Sequence, residues 1–189
     1  MLYHVSSVSG IAVFKPRISS HGKAYVYAVN DLVLGLLFGA KHDDFDFLLD
    51  TNEAGLPEVF ECYPGAFRSV YQGRGCSVYE VQDQGFLQGM TSWSPELVCE
   101  SEVPVETETF VPDLYSRLLE EAAKGTLILH SYQNIPEYKG MISRHIVDRL
   151  IRFDAMDRIE TDSRFQKYYK GIVEALNSVM DGHLLGGEI

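Results

Sequence analysis

The hydrophobic period of the chain changes near residue 112, and no single-class fold accommodates both parts. Upstream, short runs rich in β-branched and aromatic residues are set apart by glycines. Downstream, apolar residues recur three and four positions apart. The strongest strand signal is Ala24-Tyr25-Val26-Tyr27-Ala28-Val29. Asn30 follows in the place of an N-cap, ahead of the run from Leu32 to Phe38, so a short buried helix is expected to lie on the preceding strand. Residues 2–6, 45–49, 58–63, 77–81 and 96–105 are further strand candidates, punctuated by Gly65, Gly73, Gly75, Gly85 and Gly89.

After Pro112-Asp113 the pattern predicts a helix through Leu114, Leu118 and Leu119 to Lys124, stopped by Gly125. Ile142, Ile146, Leu150 and Phe153 keep helical spacing, as do Phe165, Tyr168, Ile172, Leu176 and Met180, with Asp162 as a cap. Residues 126–130 read as one more short strand. The expected architecture is α+β: residues 1–111 form a sheet domain and residues 112–189 a helical extension. The apolar faces of that extension must be buried on the sheet domain or on a partner, a second copy of the chain included.

Composition narrows the function classes. The chain has 189 residues, 16 Lys plus Arg against 27 Asp plus Glu, and a formal net charge of -11, which repels phosphate backbones and argues against a large nucleic-acid footprint. Cys62, Cys76 and Cys99 form no CxxC pair and read as reduced, buried thiols, not as a disulfide framework or zinc site. The first residues lack a basic segment followed by an apolar one, and the longest nearly apolar run, residues 32–40, is about half of a membrane span. A soluble, cytoplasmic protein is the expectation.

Most motifs that carry chemistry are missing. There is no GxxxxGK[ST] loop, no GxGxxG after a strand, no HExxH and no GxSxG. Gly73-Arg74-Gly75 reads as a plain turn. The stretch His42-Asp43-Asp44-Phe45-Asp46 fits no calcium-loop spacing and reads as a solvated loop or half-buried edge strand, with no metal expected. His21, His42 and His183 fall in turn-like or terminal segments and are expected in solvent, whereas His130 and His145 have apolar surroundings. His4 stands apart, because strand alternation puts it on one face with Leu2 and Ser6 while Tyr3 and Val5 take the other. An imidazole and a serine on one sheet face make a polar floor for a pocket.

Leu2-Tyr3-His4-Val5-Ser6, then Gly10-Ile11 to Pro16, then Gly22-Lys23-Ala24-Tyr25-Val26-Tyr27-Ala28 resemble the opening of the NAD-dependent ADP-ribosyltransferases. The similarity is to the branch of the poly-ADP-ribose polymerases, diphtheria-type toxins and RNA 2′-phosphotransferases. Its third element, a glutamate opening a late strand, has the form of Ser94-Pro95-Glu96-Leu97-Val98. The resemblance spans about residues 2–111 and rests on the order and spacing of three short motifs. It implies a split antiparallel sheet and NAD as the substrate, with no metal. His4 would then hold the adenosine ribose and Val5 the nicotinamide amide through its main chain, with Ser6 beside them. Tyr27 would stack on the nicotinamide, and Glu96 would accept from the nicotinamide-ribose 2′-hydroxyl and stabilise an oxocarbenium-like centre.

This sequence departs from the family pattern in places. Val5 stands where the family has glycine, which puts an isopropyl group beside the expected amide site. Ser94 stands where arginine-modifying toxins carry an acid or Gln, so arginine is not the expected acceptor. Glu80, flanked by Tyr79 and Val81, competes with Glu96 for the glutamate role. RNA 2′-phosphotransfer needs clustered basic side chains, and the first third of the chain offers Lys15, Arg17, Lys23 and Lys41. The implied function is transfer of ADP-ribose to an unidentified acceptor with release of nicotinamide. The alternative is a catalytically inactive member of the same fold that binds a nucleotide or a protein partner.

Overall fold

The computed structural model describes residues 1–18, 22–91, 93–172 and 176. It is a mixed α+β structure with antiparallel sheets and several helices, divided into two compact units. The first comprises residues 1–42, 50–58 and 67–129, and the second residues 43–49, 59–66 and 130–189. His21, His183 and Met180 lie outside the described residues.

The first unit is built on a seven-stranded sheet. Its strands are β1 (Leu2–Ser6), β3 (Arg17–Ile18), β4 (Ala24–Val29), β7 (Cys76–Val81), β8 (Leu87–Gln88), β9 (Glu96–Cys99) and β11 (Thr107–Val111). The spatial order is β11-β7-β1-β4-β9-β8, and β3 also pairs with β4. Two short strands, β2 (Val13–Phe14) and β10 (Val103–Pro104), pair separately. Residues 96–105 are therefore not the single strand expected. The break falls at Glu100-Ser101-Glu102, whose carboxylates stay at the surface on Lys23 (2.7 Å) and Lys15 (3.3 Å). A core of Leu2, Phe14, Val26, Ala28, Tyr79, Val81, Cys99 and Val103 fills one face of the sheet.

Helix α1 (Leu32–Leu37) covers the other face. Its N-cap is Asp31, whose carboxylate accepts from the Leu34 N–H at 2.7 Å, so the cap sits one residue later than the Asn30 expected. The helix ends where Gly39 comes so close to β7 that a Cβ there would lie 2.8 Å from Cys76 Sγ and 2.9 Å from Leu114 Cδ2. Tyr71, at the end of α2 (Ala66–Tyr71), holds the same turn by donating its hydroxyl to the Leu37 carbonyl at 2.7 Å. Helix α3 (Leu114–Lys124) also belongs to the first unit. Asp113 caps it through the Ser116 N–H, and Gly125 ends it in the left-handed conformation at φ 77°. Strands β5 (Phe47–Thr51), β6 (Pro57–Glu61) and β12 (Ile128–His130) form a three-stranded sheet in the order β12-β6-β5.

In the second unit, α4 (Pro136–Arg152) buries Tyr138, Ile142, Ile146, Val147 and Leu150. Phe153 does not share that face: it follows the last helical turn and is 53% exposed. After α5 (Arg158–Thr161), α6 spans Ser163–Lys167, and Asp162 caps it as expected. The helical run anticipated onward from Phe165 is interrupted, with Gly171 at φ 94°.

The acidic stretch is neither a solvated loop nor an edge strand. Phe45 and Asp46 are both buried, and Arg164 donates to Asp43 at 2.8 Å and to Asp46 at 2.7 Å. Acidic and aromatic neighbours point inward together because a guanidinium meets the carboxylates there. His42 is not solvated either: its Nδ1 lies 3.1 Å from the Ala40 carbonyl, and its ring packs by Phe38 and Tyr71. The three cysteines are free and buried, and desolvation raises the Cys76 thiol to about 11. No helix among the described residues is long and apolar enough to cross a membrane.

Candidate functional site

The first unit holds a cleft of about 300 Å³ where the sheet splits. Strand β1 pairs with β7 along all five residues, from Leu2↔Val81 to Ser6↔Ser77, but meets β4 at Tyr3↔Val29. Beyond that point a side chain bridges the two strands. His4 Nδ1 lies 2.7 Å from the Tyr27 carbonyl, and its ring packs 4.0 Å from Phe14. A carbonyl only accepts, so Nδ1 carries the proton and Nε2 is left as a lone-pair acceptor. Burial lowers the His4 pKa, outweighing the raising effect of the bond to Tyr27, so the imidazole is neutral at pH 7.

On its far side β4 pairs fully with β9, with Tyr27 opposite Val98 and Val29 opposite Glu96. Residues directly opposite share a face, and so do residues two apart on one strand. Tyr27, Val29 and Glu96 therefore look toward the α1 side of the sheet. His4, Val5, Tyr27 and Glu96, drawn from three strands and up to 92 positions apart in sequence, line the same cleft. Glu96 is half-buried, and its N–H is held by the Trp93 carbonyl at 3.1 Å.

Two of the sequence candidates sit elsewhere. Ser6 does not line the cleft; its hydroxyl accepts from the Val8 N–H at 3.1 Å and shapes the turn after β1. Glu80 does not line it either. It faces Tyr3 in the ladder, and its carbonyl accepts from the Glu106 N–H at 2.9 Å.

Among the lining residues that the sequence did not single out, three shape the cleft most. Phe38 and Trp93 stand edge to face, 5.5 Å between centroids at 67°, and form an aromatic wall. The signal for Trp93 was available, since it is the only tryptophan of the chain and lies three residues before Glu96. The third is Gly35 of α1. A Cβ there would lie 3.2 Å from Val5 Cγ2 and 3.3 Å from Val29 Cγ2. The Val5 isopropyl group thus packs on the bare backbone of Gly35, and the helix makes room for the bulk that the sequence places at residue 5.

The loop after β1 is tied down from the opposite edge of the sheet. The Glu108 carboxylate accepts from the Gly10 N–H at 3.1 Å, and the Tyr79 hydroxyl donates to the Val8 carbonyl at 2.8 Å. Hydrogen bonding from Ser77 and Gly10 holds the Glu108 carboxyl below the usual range. Among the described residues, no group of three or more His, Cys, Asp or Glu is placed to hold a metal ion. The cleft is therefore lined by one imidazole, four aromatic rings and one carboxylate around a largely apolar space. No family model, curated protein or solved structure matches the chain.

Proposed function

We propose that the first unit binds NAD in this cleft and transfers its ADP-ribose to an acceptor, releasing nicotinamide. The observation that carries the reading is the meeting of His4, Tyr27 and Glu96, the three residues of the ADP-ribosyltransferase resemblance, in one cleft. In the proposed reaction the bond from C1′ of the ribose to the nicotinamide nitrogen breaks. Its electron pair leaves with the ring and neutralises the pyridinium. The acceptor's nucleophile then attacks C1′ and gives up its proton. The positive charge that builds on the ribose needs a nearby carboxylate, and Glu96 supplies it. Tyr27, with the Phe38–Trp93 wall, supplies flat faces for a pyridinium. The neutral His4 Nε2 accepts from a ribose hydroxyl.

Calorimetry and nicotinamide release, followed together on the purified protein, test the reading. No heat and no release at about 1 mM NAD, a concentration that detects binding as weak as about −4 kcal/mol, ends it. Val5 at a glycine position favours a second reading, a binding module without chemistry, for which NAD binds and no nicotinamide appears.

Two further outcomes are expected at this cleft, and Trp93 fluorescence reads both because no other tryptophan contributes. NAD affinity should fall in acid. A protonated His4 has no acceptor, and because its pKa lies below the ordinary imidazole value of about 6.5, affinity holds down to that pH and drops beneath it. The same sign applies to folding: the neutral His4 stabilises the fold fully above that value and ceases to as pH falls through the lowered one. A His4→Gln variant with the same acid limb would remove His4 from the binding account. Gly35→Ala should weaken NAD binding about tenfold, because the new Cβ displaces Val5 toward the ligand. Val5→Gly in the Gly35→Ala background should restore it, and failure of that rescue would show that the two residues do not compensate.

A further inference from the structure

The second unit has its own recess, a cleft of about 240 Å³, and the charges around it run against the rest of the protein. The chain carries seven lysines, and three of them, Lys139, Lys167 and Lys170, line this cleft. Of the other four, three are paired: Lys15, Lys23 and Lys124 lie 3.3, 2.7 and 3.0 Å from Glu102, Glu100 and Glu121. No carboxylate among the described residues lies within ion-pair distance of the three cleft lysines. Like charges gathered around one concavity repel each other, and an anion bound between them relieves that repulsion.

The remaining lining narrows the anion. Lys139 and Ser143 lie one turn apart on α4, so a hydroxyl donor shares the cleft with an ammonium. The Tyr168 ring is held flat against Tyr63, 4.5 Å between centroids and 9° from parallel, and the Lys167 ammonium stands 4.7 Å over it. Tyr132 adds a second half-buried ring. Separate point charges on flexible stems can surround a compact anion with several oxygens, which is how ammonium groups hold phosphate. We infer that this cleft is a binding site for a small phosphate-bearing molecule. The inference uses no part of the NAD reading and stands or falls apart from it.

The test is a calorimetric titration of the full chain with pyrophosphate at low salt, with adenosine monophosphate and adenosine beside it. Pyrophosphate is expected to bind with a Kd of roughly 0.1–1 mM and to weaken several-fold on going from about 0.02 to 0.2 M salt. Lys139→Gln/Lys167→Gln/Lys170→Gln should lose about tenfold or more in affinity, and the corresponding triple Arg variant should retain it. The single Lys139→Gln and Lys170→Gln variants replace the triple one if its melting shows that it does not fold. Adenosine, which lacks the phosphate, should not respond to the lysine substitutions. Tighter lysine-dependent binding of adenosine monophosphate than of pyrophosphate identifies a nucleotide as the ligand, and the reverse order a free phosphate. No pyrophosphate binding up to about 10 mM, or equal binding by the folded triple Gln variant, overturns the inference.

Discussion

Glu96→Gln is expected to cut nicotinamide release by about a hundred- to a thousandfold while NAD affinity changes by less than about threefold. Glutamine keeps the shape of the side chain and its capacity to accept from a ribose hydroxyl, but it removes the negative charge. A loss confined to turnover therefore reports an interaction made as charge develops on the ribose. Glu80→Gln is the internal control. Glu80 lies on β7, does not line the cleft, and should leave release within about twofold of wild type. Equal loss in both variants, or no loss in Glu96→Gln, would take the carboxylate role away from Glu96. Loss of binding and turnover together would assign Glu96 to ground-state binding.

The other large effect belongs to the second unit and concerns stability. Arg164 donates to three aspartates at once: Asp43 at 2.8 Å, Asp46 at 2.7 Å and Asp162 at 2.6 Å. Its side chain is 18% exposed, and those of Asp46 and Asp162 are 11% exposed. Tyr63 adds a hydroxyl donor to Asp46 at 2.9 Å. Arg164→Met strands these carboxylates with Arg158, at 3.3–3.4 Å, as the remaining cation of the cluster. The expected cost is about 3 kcal/mol, chiefly from buried charge left unpaired, or roughly 10 °C in Tm.

The pH dependence of that cost has a definite sign. Hydrogen bonds and charge from Arg164 hold the Asp162 carboxyl below the usual range. Burial would raise the Asp43 carboxyl, but Arg164 outweighs it and the net direction is again down. Carboxylates lowered in the folded state contribute stability above their ordinary values and lose it as pH falls through the lowered ones. The gap between wild type and Arg164→Met should therefore be full near neutrality and close below about pH 4. Amide exchange should place the loss around residues 43–46 and 158–172. A variant that melts with wild type at pH 7 would show the cluster to be energetically idle.

Much of the local structure was legible because it depends on neighbours in sequence. The AYVYAV strand, the cap and stop of α3 at Asp113 and Gly125, and the Asp162 cap all follow from short-range hydrogen bonding and backbone preference. The acidic stretch was misread for the opposite reason. Its period alternates like an edge strand, and its burial depends on Arg164, 118 positions from Asp46 in sequence. Residues 96–105 likewise break at Glu100 and Glu102, whose side chains stay at the surface beside Lys23 and Lys15, far away in sequence.

For the cleft, the sequence by itself determined which chemical groups were on offer. Strand alternation put His4 and Val5 on opposite faces of β1, and a resemblance of three short motifs singled out His4, Tyr27 and Glu96. Only the tertiary structure decided their meeting. The parting of β1 from β4 opens the space, the His4–Tyr27 bond sets which imidazole nitrogen remains an acceptor, and the β4–β9 register brings Glu96 opposite Val29. It also supplied Phe38, Trp93 and the Gly35 backbone that accommodates Val5. Capping and strand period act within a few residues and can be read from the chain. Register, strand splitting and the space beneath a side chain are set by packing between segments far apart in sequence, and no local pattern encodes them.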